Sequence, residues 1–310
     1  MGLEVRRNHD KEGKPRIQLL QPGLVDKVLN VIKDDKLIPI NDSRPQRKPE
    51  RTPAGSSLGA SPDSPPFDEV EFGFSYRQAV GMLSYLLHTR PDLQTAVHQC
   101  ARFSHAPRAI HGKAIRRIAR YLKDTREEGL NLRTHSGPVS FDCYVDADFC
   151  GLYGYEDPQD PVSVKSRTGY VFTLGGNPVH WASKLQPTIA LSTVEAEYIA
   201  LSQALREFIV MRRVATEICT VFKVNVGEEG TMKSTVFEDN NGCISLATAK
   251  RMNPRTKHIA TVFHWFWQYT GPGTGIVLEK IASEIQLVDI FTKCLERESF
   301  ERIRELLMEW

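Results

Sequence analysis

Residues 141–149, Phe141-Asp142-Cys143-Tyr144-Val145-Asp146-Ala147-Asp148-Phe149, decide the fold. Positions 141–145 read as a β-strand that runs into an acid, Asp146, where the chain opens into Ala147-Asp148. Two further strands follow at 169–174 and 178–182, then a helix from about 194 to 222. A fourth strand at 234–237 leads into a helix over 241–249. A helix over 258–269, a last strand at 275–280 and a helix over 284–309 complete the pattern. Three early antiparallel strands followed by strand–helix alternation predict an α/β fold, a mixed sheet with helices on its faces.

Four acids fall at the ends of these elements. Asp146 follows the first strand, Asp239 ends the fourth, and Asp289 lies near the start of the last helix. Glu197 shares a helix stripe with Ala200, Leu201, Ala204, Leu205 and Phe208, which turns it toward the sheet. Glu195 shares a face with Ser202 and Arg206 and reads as solvent-facing. Taken singly, Asp148 and Asp239 read as helix caps, Glu197 as a surface acid and Asp289 as a residue favoured by the helix dipole. Taken together, acids at the ends of successive elements favour a shared cation site, because buried carboxylates are costly unless paired or metal-bound. Hard carboxylate oxygens select Mg²⁺, with Mn²⁺ as a substitute, over zinc. Two ions about 4 Å apart can clamp the attacking and leaving oxygens of a phosphodiester.

Upstream of residue 138 the chain changes character. Residues 1–40 read as a hairpin, with Leu3 and Val5 facing Ile17 and Leu19, and a short amphipathic helix carrying Leu24, Val25, Val28, Leu29 and Ile32. Residues 41–72 hold Pro45, Pro49, Pro53, Pro62, Pro65 and Pro66 among Ser, Arg and Gly, and read as a disordered linker. Residues 73–137 read as a helical region whose third helix carries Arg116, Arg117, Arg120 and Lys123 on a polar face. That face is a candidate phosphate contact. Residues 1–137 contain 23 Lys/Arg against 16 Asp/Glu, and the remainder 17 against 22, so a basic part precedes an acidic one. The counts alone allow either phosphate contacts or uneven solvated charge. No apolar run is long enough to span a membrane, and no signal-peptide core opens the chain. Six scattered cysteines form no C-x-x-C pair, which suits a reduced compartment, cytosol or nucleus.

Several ordered motifs carry a resemblance. They are Tyr144-Val145-Asp146-Ala147-Asp148-Phe149, Lys165-Ser166-Arg167-Thr168-Gly169-Tyr170, Trp181-Ala182-Ser183-Lys184 and Leu191-Ser192-Thr193-Val194-Glu195-Ala196-Glu197-Tyr198. Glu238-Asp239-Asn240-Asn241, Thr256-Lys257-His258-Ile259 and Val288-Asp289-Ile290-Phe291-Thr292-Lys293 continue the series. Upstream, Thr89-Arg90-Pro91-Asp92 and Arg120-Tyr121-Leu122-Lys123 belong with them. The chain resembles the C-terminal part of the polyprotein of copia-type LTR retrotransposons, the end of the reverse transcriptase followed by ribonuclease H.

The resemblance implies a ribonuclease H domain over 138–310, preceded by a thumb or connection remnant. It implies Asp146, Glu197, Asp239 and Asp289 as catalytic metal ligands, with Asp146 bridging two Mg²⁺ ions. It also implies cleavage of the RNA strand of an RNA–DNA hybrid, leaving a 3′-hydroxyl and a 5′-phosphate. The candidate nucleic-acid contacts are Arg116, Arg117, Arg120 and Lys123 of the basic helix face, together with Lys184, Lys257 and His258. His258 and His264 also read as partly buried helix histidines. The polymerising region of the same polyprotein is the implied partner, and a virus-like particle the setting in a complete element. The chain departs from the family in lacking the paired-aspartate polymerase motif, in the acidic stretch 152–164, and in Ala260 where an acid is common. The rival reading is a catalytically inactive remnant that only binds nucleic acid or a protein.

Overall fold

The structure is a computed structural model that describes residues 2–9, 12–32, 49–156, 160–227, 232–249, 259 and 261–310. It divides into two compact units. The first joins Met1–Leu132, Gly154–Asp157 and Lys293–Trp310; the second joins Arg133–Tyr153 and Pro158–Thr292.

In the first unit β1 (Glu4–His9) and β2 (Pro15–Leu20) form the expected hairpin, in register from Glu4 opposite Leu20 to His9 opposite Pro15. The amphipathic helix α1 (Pro22–Val31) follows and buries Leu24, Val25 and Val28. After α2 (Glu69–Phe72) come α3 (Tyr76–Leu86), α4 (Gln94–Arg102) and α5 (Ala109–Asp124). The strand β3 (Leu130–Arg133) completes a three-stranded sheet in the order β1-β2-β3. The break between α3 and α4 is built on a buried ion pair. Arg90 Nε and Nη2 donate to both oxygens of Asp92 at 2.9 and 2.8 Å, and Tyr121 Oη donates to Asp92 at 2.8 Å. A bidentate pair with its remaining lone pairs used can sit in a core without an orphaned charge.

The linker expectation fails over residues 49–72. Leu58 N–H donates to Gln99 Oε1, Phe67 N–H donates to Pro107 O, and Arg108 donates to Ser64 O. The Phe67 ring packs against those of Phe72 and Phe74. The proline-rich composition hides one aromatic anchor and a row of backbone groups that helix side chains satisfy. Residues 33–48 lie outside the described residues.

In the second unit β4 (Phe141–Asp148), β5 (Arg167–Leu174) and β6 (Asn177–Leu185) pair antiparallel. The long helix α6 (Thr193–Val221) follows, then β7 (Ser234–Glu238), α7 (Asn241–Ala249), a 3-10 helix over Thr261–Gln268 and β8 (Ile276–Lys280). The strands β7 and β8 add parallel to β4, giving the order β6-β5-β4-β7-β8. Three antiparallel strands with two parallel ones added make the mixed α/β sheet expected. Phe208 of α6 stacks on Phe141 and meets Phe172 edge-on, at centroid distances of 5.1 and 5.2 Å, so the helix stripe read from sequence is the one against the sheet.

Two elements differ from expectation. The helix over 258–269 is a 3-10 helix in the described part, and the helix over 284–309 is broken into α8 (Asp289–Thr292) and α9 (Arg297–Met308). The second unit ends with α8, while α9 clusters with the first unit rather than with the rest of 138–310. The reason lies in its partners. Phe300 packs edge-on against Tyr121, Asn131 Nδ2 donates to Met308 O at 3.0 Å, and Trp310 Nε1 donates to Gly129 O at 2.8 Å.

Candidate metal centre

The parallel register of β4 and β7 sets Tyr144 opposite Phe237, so both strands end on the same side of the sheet. Asp146 near the end of β4 and Asp239 just past β7 therefore arrive together. Glu197 comes to them from the second turn of α6. That helix starts where the sequence Ser192-Thr193-Val194-Glu195 writes a capping box: Ser192 Oγ accepts from Glu195 N–H at 3.1 Å. Glu195 reaches back to accept from Leu191 N–H at 2.7 Å and is only 6% exposed, so it is a cap and not the solvent-facing acid expected.

Asp146, Glu197 and Asp239 each offer a carboxylate oxygen, and these atoms all lie within 4.8 Å of one another. Asp146 is 3% exposed and Glu197 is 4% exposed. Thr292 Oγ1 of α8 donates to Asp146 Oδ2 at 2.5 Å, and Ser283 Oγ donates to Asp239 Oδ2 at 2.7 Å. Glu197 Oε2 is buried with no hydrogen-bond partner. Burial, followed by the charges of Glu238, Asp146 and Asp239, pushes the Glu197 carboxyl well above its ordinary range. Such crowding is what a cation relieves.

Asp289 does not join the three at that separation. It opens α8, one turn before Thr292, and Gln286 Nε2 just ahead of it donates to Val145 O at 2.9 Å. The fourth acid thus lies in a segment anchored to β4 at Val145 and at Asp146.

Glu238 was not foreseen. It is fully buried, its Oε1 accepts from Asn240 N–H at 3.0 Å, its Oε2 has no hydrogen-bond partner, and burial pushes its carboxyl well up. Period-two alternation with Val236 and Ser234 places it on the core side of β7, a signal present in the sequence.

The candidate nucleic-acid contacts fare differently. Arg116 donates to Phe72 O and lies over the Phe72 ring. Arg117 donates to Thr52 Oγ1 at 2.9 Å and pairs with Glu50, which also faces Arg120. The basic face of α5 thus holds residues 50–72 in place. Lys123 is half-buried. Lys184 pairs with Glu207 at 3.0 Å. Lys257 and His258 lie outside the described residues. His264 is buried and shares a hydrogen bond of 2.7 Å with Tyr198 Oη, which matches the helix-histidine reading.

No family model matches the chain. It is 35% identical over 265 residues to the retrovirus-related Pol polyprotein from transposon TNT 1-94 of Nicotiana tabacum, covering 84% of this chain and 18% of that protein. It is 33% identical over 226 residues to the Pol polyprotein from transposon RE1 of Arabidopsis thaliana, covering 73% of this chain and 14% of that protein. The chain therefore spans less than a fifth of the length of these relatives. Among solved structures, LC11-RNase H1 in complex with an RNA/DNA hybrid aligns with a TM-score of 0.32 and 18% identity, over 49% of this chain and 94% of that one. Sequence kinship over most of its length makes this chain a member of the copia-type retrotransposon Pol polyprotein family, with a mixed α/β fold in its second unit.

Proposed function

We propose that the second unit is a divalent-metal-dependent endonuclease that cleaves the RNA strand of RNA–DNA hybrids. The observation that carries this reading is the convergence of Asp146, Glu197 and Asp239 to within 4.8 Å on three different elements. The residues fit Mg²⁺. They are hard oxygen donors, and one buried oxygen, Glu197 Oε2, has no protein partner. Asp146, Glu197 and Asp239 would hold the ions, with Asp289 as a fourth ligand. Bound ions supply positive charge that activates water and offsets charge on the leaving oxygen.

The chain's own part is positioning. Thr292 Oγ1 donates to one Asp146 oxygen and Ser283 Oγ to one Asp239 oxygen, which orients both carboxylates. The Ala147 N–H donates to Glu197, which ties α6 to the end of β4. Discrimination of RNA from DNA rests on contacts to 2′-hydroxyls across the minor groove. The hybrid and the polymerising part of the same polyprotein are the partners in this reading, within cytoplasm or nucleus.

The test is incubation of the 310-residue chain with end-labelled RNA–DNA hybrid, double-stranded RNA and double-stranded DNA, in Mg²⁺ and in chelator. Cleavage confined to the RNA of the hybrid and to Mg²⁺ supports the reading. A well-folded protein inert on the hybrid in Mg²⁺ and Mn²⁺ restores the remnant reading.

A further inference from the structure

The C-terminal half of α6, with its C-cap Phe222, carries an apolar ridge that no described element covers. Val210, Val214, Ile218 and Phe222 follow one another four residues apart, and they are 60%, 52%, 50% and 74% exposed. Val221 beside them is 75% exposed. The opposite side of the same stretch is buried through Phe208, Ala215 and Cys219. A soluble surface tolerates scattered apolar residues, but five contiguous ones along a helix mark a contact surface.

Charge and register on this ridge point to one occupant. Arg213 and Glu217 are exposed along one flank and form no ion pair with any described residue. In an antiparallel helix pair, like flanks face each other. A two-fold axis passing at Thr216 sets Val210 against Phe222 of a second copy and Val214 against its Ile218. The same axis brings Arg213 to the Glu217 of that copy, offset by two residues or about 3 Å of helix rise. Val210, Val214, Ile218 and Phe222 then each meet an apolar residue, and both charges are matched twice by symmetry. We infer that this face of α6 docks on the same face of a second copy of the chain, antiparallel, forming a homodimer through the second unit.

Sedimentation across a range of protein concentrations tests this. The parent chain is expected to dimerise reversibly. Val214→Glu and Ile218→Glu are expected to be monomeric with unchanged circular dichroism, since both positions are exposed. Arg213→Glu and Glu217→Arg each turn two attractions into two repulsions and should weaken the dimer about tenfold, or ~1.4 kcal/mol. The double variant Arg213→Glu/Glu217→Arg should regain the parental affinity, which general damage to the helix would not allow. A parent that stays monomeric at every concentration overturns the inference and leaves the ridge to another part of the polyprotein. A dimer indifferent to Val214→Glu, or a double variant no better than the singles, overturns it as well. None of these residues belongs to the carboxylate centre, so the outcome does not depend on cleavage.

Discussion

Glu197 is the most constrained side chain of the centre. It is buried beside three other acids, so its ionised form is disfavoured in the metal-free fold. A carboxyl raised in the folded state stabilises the fold fully below its unfolded value, and that stability drains away as pH rises through the folded one. Glu197→Gln should therefore raise the stability of the protein in chelator at neutral pH, by about 1 kcal/mol or more, while abolishing cleavage. The gain should vanish near pH 4, which urea titrations at the two pH values would show. Glu195→Ala should do the opposite, losing ~1 kcal/mol of stability through its cap and leaving cleavage intact. Had Glu195 been the ligand, the two variants would exchange roles. His111 gives a separate pH signature in the first unit. It is fully buried, accepts Arg108 N–H on Nδ1 and donates through Nε2 to Gly59 O. Burial lowers its affinity for a proton, so the fold is fully stabilised above the unfolded histidine value and loses stability as pH falls below about 6.5. Melting the parent and His111→Asn at pH 7.5 and 5.5 checks this. The parent should lose more on acidification.

Elements bring these residues together by close approach. Gly169 of β5 stands opposite Asp146 in the antiparallel register. A Cβ there would lie 2.6 Å from Thr292 Cγ2 and 2.7 Å from Val288 Cγ1, so only glycine lets α8 sit against the strand. Gly169→Ala should push α8 away, break the Thr292–Asp146 hydrogen bond, cost about 1–3 kcal/mol of stability and lower cleavage at least tenfold. A variant with parental stability and rate would show that α8 does not position Asp146. Most elements of the second unit were legible because their periods are plain. The period of two in β4 and the stripe of Ala200, Ala204 and Phe208 in α6 required no tertiary knowledge. What was not legible depended on distant partners. The break between α8 and α9 follows from Thr292 bonding Asp146 and Phe300 packing on Tyr121, contacts more than a hundred positions apart. Spacing alone puts Glu195 on the solvent face, whereas the cap that begins at Ser192 turns its side chain back onto Leu191 N–H.

At the scale of the whole molecule, composition was a poor guide where polar groups make the contacts. Residues 49–72 are rich in proline and polar side chains, yet Glu50, Thr52 and Ser64 engage Arg117, Arg120 and Arg108, so these cations of the first unit are held by its own chain. A ligand that binds only the folded state protects the elements that hold it. Mg²⁺ should therefore slow amide exchange in residues 141–148, 193–201 and 234–243, and leave α3 and α5 unchanged. Uniform protection, or none, would place metal binding elsewhere. The most direct test of the central claim compares the parent with Asp146→Asn on one labelled RNA–DNA hybrid in Mg²⁺. The substitution keeps the shape that accepts the Thr292 hydroxyl at the end of β4 and removes one ligand's charge. The parent should cleave the RNA strand, and Asp146→Asn should be at least about a hundredfold slower with unchanged circular dichroism and melting. Equal rates in the two proteins would contradict a carboxylate-bound metal centre in this fold.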